Sequence, residues 1–451
     1  MRGKALQFIG DFRLDDAPAD VVRQGKRCLL DLIGVAAAGS QLEVSRITRS
    51  VALTQFGGAQ GRFLFDGRQA SAAGAALANS MTIDGFDAHD GHPLTKGHAG
   101  CGSLAALIAF AGDGSGLTGA EALGHLVCGY EVAIRAGIAL HATASDYHTT
   151  GAWVCIAAAG IGARMLDLDA AATREAIGIA EYYGPRSQMM RCIDHPTMVK
   201  DGSGWGAMAG VTSAVLAREG FTGAPAVSVE GEDVSGFWSD LGTRWRINEQ
   251  YFKPYPVCRW AQPAMEAATQ LRRDHAFGHG EIRSISVSTF HEASKLATAE
   301  PTGTDAAQYS LPFPLAALLV KGQVGPAELE GAGLTDPDVL RLSRATSLID
   351  DQRYSRLFPA ERWAEVEIEL ADGRRLVSLP AVARGSAENP LSDEEISTKF
   401  HLLMESARLS DRARRIEDMV MDIDRAPSFA PLVEAITQPV EASAQLARAM
   451  R

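Results

Sequence analysis

"DGSGWGAMAGVTSAVLAREG", residues 201–220, sets Gly202, Gly206 and Gly210 four apart, on one face of a helix. The stretch also contains a G-x-G spacing, so it poses a choice between a nucleotide-binding turn and a helix pressed close to its neighbours. A dinucleotide turn needs a strand just before its glycines, and the preceding residues RCIDHPTMVK (191–200) do not read as one. The glycines therefore predict tight helix contact.

Working outward, the first 220 residues are alanine-rich and helical in period. Val21, Val22, Leu29, Leu32 and Ile33 follow a helical spacing, as do residues 120–140 and 169–182, the latter opened by Asp169 as an N-cap. The pattern changes after about residue 270. In EIRSISVSTF (281–290), Ile285, Val287 and Thr289 alternate as in a strand. In WAEVEIELADGRRLVSLPA (363–381), Val366, Ile368 and Leu370 alternate before an Asp372-Gly373 hairpin signal. Residues 306–320 and 336–346 between them read as helices, and helical spacing returns from Asp393 with Ile396, Phe400 and Leu403. A chain of 451 residues is also too long for one comfortable core. The fold class expected is mainly α: a large helical domain over 1–268, a smaller α+β domain over 269–392, and helices over 393–451 that return to the first domain.

A net charge of -12 with no basic run argues against nucleic acid or an anionic membrane as a partner. Six widely spaced cysteines form no C-x-x-C pair and read as buried small hydrophobes in a reducing compartment. No apolar leader precedes Asp11, and the apolar run 151–163 is too short to span a bilayer. The expected location is cytoplasmic.

Chemistry concentrates in four polar loops. SMTIDGFDAHDGHPLTKGHAG (80–100) packs Asp84, Asp87, His89, Asp90, His92 and His98 between apolar segments. As metal ligands, Asp84, Asp87, Asp90, His89 and His92 are the right types, but they match no established ligand spacing. A solvated loop and a proton-transfer site are the other readings. SDYHTTGAW (145–153) puts His148 before an apolar helix, and Lys200 precedes the glycine-bearing one. YFKPYPVCRW (251–260) carries Lys253, Tyr255 and Arg259 in a proline-stiffened loop.

Together these loops resemble the MmgE/PrpD family over nearly the whole chain. Asp84 to His89 resembles its acidic run, Gly97-His98-Ala99-Gly100 its G-H-P-S/G, and His148-Thr149-Thr150-Gly151 its H-P-T-G. Lys200, the helix ending Gly220-Phe221-Thr222-Gly223, the intact K-P-Y-P-x-C-R of Lys253–Arg259 and AQYSLPF (307–313) follow in the family's order. Departures are Gly85-Phe86, which reverse the usual order, Ala88 in place of threonine, Ala99 in place of proline, and Gln262 where many members have histidine. The resemblance implies a homodimer with a small lid domain and no cofactor or metal. It further implies a lyase, most often a dehydratase, acting at carbon next to a carboxylate of a small di- or tricarboxylate such as 2-methylcitrate or citrate. Decarboxylation and epimerisation belong to the same family.

On that basis His148 and His98 are expected to exchange the proton, since imidazole titrates near neutrality. Asp84 orients one of them, Lys200 clamps a carboxylate or acts as acid, and Tyr309 donates a proton. Lys253, Arg259, His89 and Tyr255 are expected to bind substrate, Arg259 through a bidentate fork. A metal-dependent hydrolase built on the Asp/His loop and an inactive carboxylate-binding protein are the readings from other classes.

Overall fold

The computed structural model describes residues 3–112 and 116–440. The chain is mainly α-helical with a smaller α+β region, and two compact units divide it. The first takes Met1–Met189, Asp201–Gln250 and Ser392–Arg451, so it draws on both chain ends. The second takes Met190–Lys200 and Tyr251–Leu391. It begins earlier than the expected residue 269 and also includes the segment ending at Lys200. Backbone pairing explains part of the shift: Phe252 N–H donates to Gly385 O (2.9 Å) and Cys258 N–H to Gln308 O (2.8 Å). Such long-range bonds tie the proline-rich loop to the second unit and leave no mark on local composition. Of the expected C-terminal span 393–451, residues 441–451 lie outside the described residues.

In the first unit the site is positioned by α1 (Ala19–Gly39), α2 (Ala72–Asp84), α3 (Ala99–Phe110), α4 (Gly119–Thr143), α5 (Gly151–Met165), α6 (Ala170–Tyr183), α7 (Ser203–Arg218) and α8 (Asp393–Ser406). Their starts are written in the sequence. Ser71 caps α2, Asp169 caps α6 as expected, and Thr118 with Glu121 and Ser392 with Glu395 form capping boxes on α4 and α8. The glycines of α7 allow backbone approach: a Cβ on Gly206 would stand 2.5 Å from Gly151 O, and one on Gly210 would stand 2.2 Å from Cys155 O. Helices α5 and α7 therefore meet backbone to backbone. Gly202 serves another purpose, capping α7 with φ of 65°, a conformation that favours glycine.

Helix α4 is long and apolar enough to cross a membrane, but its apolar window is wholly buried in the first unit. It also carries a buried ion pair, Arg135 Nε to Glu131 Oε2 at 3.3 Å. Arg135 donates further to Phe237 O and Arg244 O, both 2.7 Å, and Glu131 accepts from Ile247 N–H at 2.9 Å. All six cysteines are buried and unpaired by disulfides.

The second unit holds a mixed five-stranded sheet of β1 (Ile282–Thr289), β2 (Thr346–Asp350), β3 (Trp363–Leu370), β4 (Arg375–Val377) and β5 (Ala381–Val382). Central β1 runs parallel to β2 (Ile285 opposite Thr346) and antiparallel to β3 (Ile285 opposite Ile368). The alternating residues Ile285, Val287, Val366, Ile368 and Leu370 are all buried, as their spacing predicts. The β3–β4 turn contains Gly373 at φ of 89°. The helix expected over 306–320 is two helices, Thr304–Gln308 and Pro312–Lys321, because Pro312 has no N–H to continue the first and opens the second.

Candidate active site

The acidic loop between α2 and α3 is held from several sides. From α8, Lys399 Nζ donates to Ala88 O and to Asp31 Oδ1, both at 2.6 Å. Asp31, on α1, accepts from Asp90 N–H through Oδ2 at 3.1 Å, and the Tyr130 hydroxyl of α4 donates to Asp90 Oδ2 at 2.5 Å. The loop is thus fixed by charge-assisted bonds in a buried setting, where each is worth more than at the surface. Burial and the neighbouring Asp31 push the Asp90 carboxyl up to about 7, against the pull of Tyr130 and Cys28.

His98, the N-cap residue of α3, sits at the centre of this arrangement. Its Nδ1 lies 2.6 Å from Asp90 O, and a carbonyl can only accept, so Nδ1 carries the hydrogen. In the neutral ring Nε2 is then the basic nitrogen. It lies 3.8 Å from Asp87 Oδ1 and 3.8 Å from Asp201 Oδ2. An ionised carboxylate at that separation favours the protonated ring, and burial opposes it. The His89 ring lies against that of His98 with centroids 4.0 Å apart, and its Nε2 is 3.5 Å from Asp84 Oδ1. Neither His89 ring nitrogen makes a hydrogen bond, although the residue is fully buried. Burial, with Asp84 and Asp87 nearby, pushes the Asp201 carboxyl up to about 7. This part of the chain can therefore hold and exchange protons near neutral pH.

His148 is half-buried, with Nδ1 donating to Asp146 O at 3.0 Å, which again leaves Nε2 as the basic nitrogen. Two residues on, Thr150 Oγ1 accepts from His98 N–H (3.1 Å) and donates to Asp201 Oδ2 (2.9 Å), tying the His148 loop to the His98 cluster. In the second unit, buried Lys200 has φ of 48° and turns its ammonium to Asp305 Oδ1 (2.9 Å) and Gln308 Oε1 (2.5 Å), 5.2 Å from the Tyr309 ring centre. A non-glycine residue in the left-handed region is strained, and such strain gathers at functional positions. Lys253 is buried. Arg259 differs from the fork expected to grip substrate: its terminal nitrogens donate to Ala383 O, Arg384 O, Ser386 Oγ and Gln262 Oε1, so it ties its loop to residues 383–386. Tyr255 is half-buried, and burial followed by Glu266 pushes its phenol up.

The ligand set weighed for a metal does not converge. His92 Nε2 turns to Glu249 Oε2 (3.2 Å) and Asp90 to Tyr130, while Asp84, His89 and Cys101 each bring one donor atom to within 4.8 Å of the others. Burial and Asp84 raise the Cys101 thiol, whose Sγ lies 3.3 Å from His98 O as its donor. An ion bound there would have to displace that proton.

Two family models match the chain in succession. The MmgE/PrpD N-terminal domain model matches residues 5–248, and the MmgE/PrpD C-terminal domain model matches residues 255–425. The chain belongs to the MmgE/PrpD family. A cis-aconitate decarboxylase of Aspergillus terreus (strain NIH 2624 / FGSC A1156) is 25% identical, covering 95% of this chain and 94% of its own length. The cis-aconitate decarboxylase-like protein oryM of Aspergillus oryzae (strain ATCC 42149 / RIB 40) is 24% identical over 95% of this chain and 96% of its own. These relatives mark the chain as a lyase-type member of the MmgE/PrpD family.

The structure shows the contacts made at two departures from the MmgE/PrpD pattern. Gln262 Nε2 donates to Tyr255 O and Val257 O, both at 3.0 Å, and its Oε1 accepts from Arg259, so it staples the K-P-Y-P loop. Ala88 contributes its backbone carbonyl to Lys399, which any residue would supply, so this contact does not explain the missing threonine. Of the residues singled out in the sequence, His98, His89 and Asp84 lie together, whereas Asp87, Asp90, Asp201, Thr150, Asp31 and Lys399, which surround them, are not among the expected catalytic or substrate-binding residues. A signal existed for Asp31, a lone carboxylate inside the apolar run CLLDLIG. Lys399, 368 positions from Asp31, gave none.

Proposed function

We propose that the chain is a lyase that moves a proton at the carbon next to a carboxylate of a small di- or tricarboxylate, using its own side chains. The observation that carries this reading is His98: its tautomer is fixed by Asp90 O and its basic nitrogen is flanked by Asp87 and Asp201. A positioned base of this kind contributes roughly 10² to 10⁴ in rate. His148 is the second proton-exchanging group, and Asp84 tunes His89 and His98. Lys200 supplies positive charge to the developing enediolate or to a carboxylate, which is worth on the order of 3 kcal/mol in a dry site. Tyr309 donates a proton, and Lys253, Tyr255 and His89 contact substrate.

Water elimination from a 2-methylcitrate- or citrate-like acid is the first reading. The relatives named cis-aconitate decarboxylase, aligned over 95% of this chain, favour carbon dioxide loss as the second. Both reactions pass a proton at the same kind of carbon. The working form is a homodimer, a reading supported by exposed aromatic residues on the packed helices α6 and α7: Tyr182, Tyr183 and Trp205 are 75%, 60% and 56% exposed.

The deciding experiment incubates the purified protein in heavy water with citrate, 2-methylcitrate or cis-aconitate and follows the products by NMR. Loss of water marks a dehydratase, carbon dioxide a decarboxylase, and deuterium at carbon with inversion an epimerase. A stoichiometric metal whose chelation abolishes turnover would replace this reading with the metal-dependent one.

A further inference from the structure

The carboxyl of Asp201 is in no motif that led to the site. It follows Lys200 directly in sequence and is 1% exposed. One of its oxygens does two things at once: Oδ2 accepts the Thr150 hydroxyl at 2.9 Å and stands 3.8 Å from His98 Nε2. Thr150 Oγ1 also accepts the backbone N–H of His98. A single hydroxyl therefore registers the carboxyl against the imidazole it faces. Gly151 N–H donates to Asp201 O at 3.0 Å and fixes the backbone of the same residue.

Resting on the reading that His98 exchanges the proton, we infer that Asp201 is a positioning residue for His98, held by Thr150 so that its carboxylate, opposite Asp87, sets how firmly Nε2 retains its proton. No bond to substrate is made by Asp201. The proton moves between the substrate carbon and Nε2, and the carboxylate stabilises the imidazolium that results. The other ionisable groups around the ring are Asp87 on the same loop, His89 stacked on it, Asp84 at the end of α2 and Cys101 on α3. Behind Asp90 stand Asp31 of α1, Tyr130 of α4 and Lys399 of α8. The upward push on Asp201 by burial, Asp84 and Asp87 means that its charge is adjustable near neutrality. The cluster then titrates as a coupled set.

The test uses Asp201→Asn, which keeps an oxygen for the Thr150 hydroxyl and removes the charge. Two quantities are read: the pH profile of kcat/KM and the titration of the His98 ring by NMR, the second of which needs no turnover. Loss of a neighbouring negative charge lowers the proton affinity of Nε2, so the His98 limb and the ring titration should both move to lower pH by roughly one to three units. Thr150→Val should move them in the same direction by less. An unchanged His98 titration in folded Asp201→Asn overturns the inference. His98→Gln separates the two claims: if it retains full activity, the proposed function fails, whereas an inactive His98→Gln beside an unshifted Asp201→Asn removes only the role of Asp201.

Discussion

The two ring nitrogens of His98 have separate tasks. His98 donates from Nδ1 to Asp90 O and presents Nε2 to carboxylates, so replacing it with glutamine should lower turnover at least about a hundredfold while the melting midpoint stays near that of the parent. Asp90 offers a prediction about stability. Its carboxyl is raised to about 7 in the folded chain, whereas an unfolded aspartate titrates near ~3.9. The folded state holds the proton more tightly, so this contribution to stability is complete below about pH 4 and is lost as pH rises through about 7. Thermal melts from pH 5 to 8 should show the midpoint falling, and Asp90→Asn should flatten that fall. A steeper fall in the variant would contradict the assignment.

Between elements, the α5–α7 contact is set by glycines whose missing Cβ atoms let backbones meet. Alanine at position 210 would gain about 1 kcal/mol of helix propensity, but its Cβ would stand 2.2 Å from Cys155 O, a backbone atom that cannot swing aside. Overpacking of this kind costs roughly 1–3 kcal/mol, so Gly210→Ala should be destabilising in a denaturant titration. Gly10→Ala is the matched control, because nothing lies within 4 Å of its added methyl, and it should be neutral or stabilising. The buried Arg135–Glu131 pair makes a sharper case. Arg135→Met leaves Glu131 without its cation and should cost about 3–5 kcal/mol, more than a surface pair of equal length.

For the molecule as a whole, the chain is organised as two units, and the residues proposed to act fall in both: His98 and His148 in the first, Lys200 and Tyr309 in the second. His148→Ala and Lys200→Ala should each reduce turnover by about a hundredfold or more; the His148 change should leave the melting midpoint nearly unchanged, whereas Lys200→Ala removes a buried ammonium paired with Asp305 and should lower it. Activity surviving in both variants would remove these residues from the mechanism. Light scattering at micromolar concentration should report twice the 47.9 kDa chain mass if the exposed aromatic residues of α6 and α7 lie at a dimer contact.

The sequence by itself determined the helical class, the strands around Ile285 and Ile368, the cap at Asp169 and the family, because each rests on local period, a capping residue or a motif in order. It also supplied His98, His89 and Asp84, which lie on one short loop. Only the tertiary structure decided that Arg259 ties its loop to residues 383–386, that Asp201 faces the imidazole, and that Lys399 reaches the acidic loop from the far end of the chain. The reason is physical: which acceptor a guanidinium, carboxylate or ammonium finds depends on what lies within about 3 Å in space. Local period and spacing do not encode partners separated by hundreds of residues.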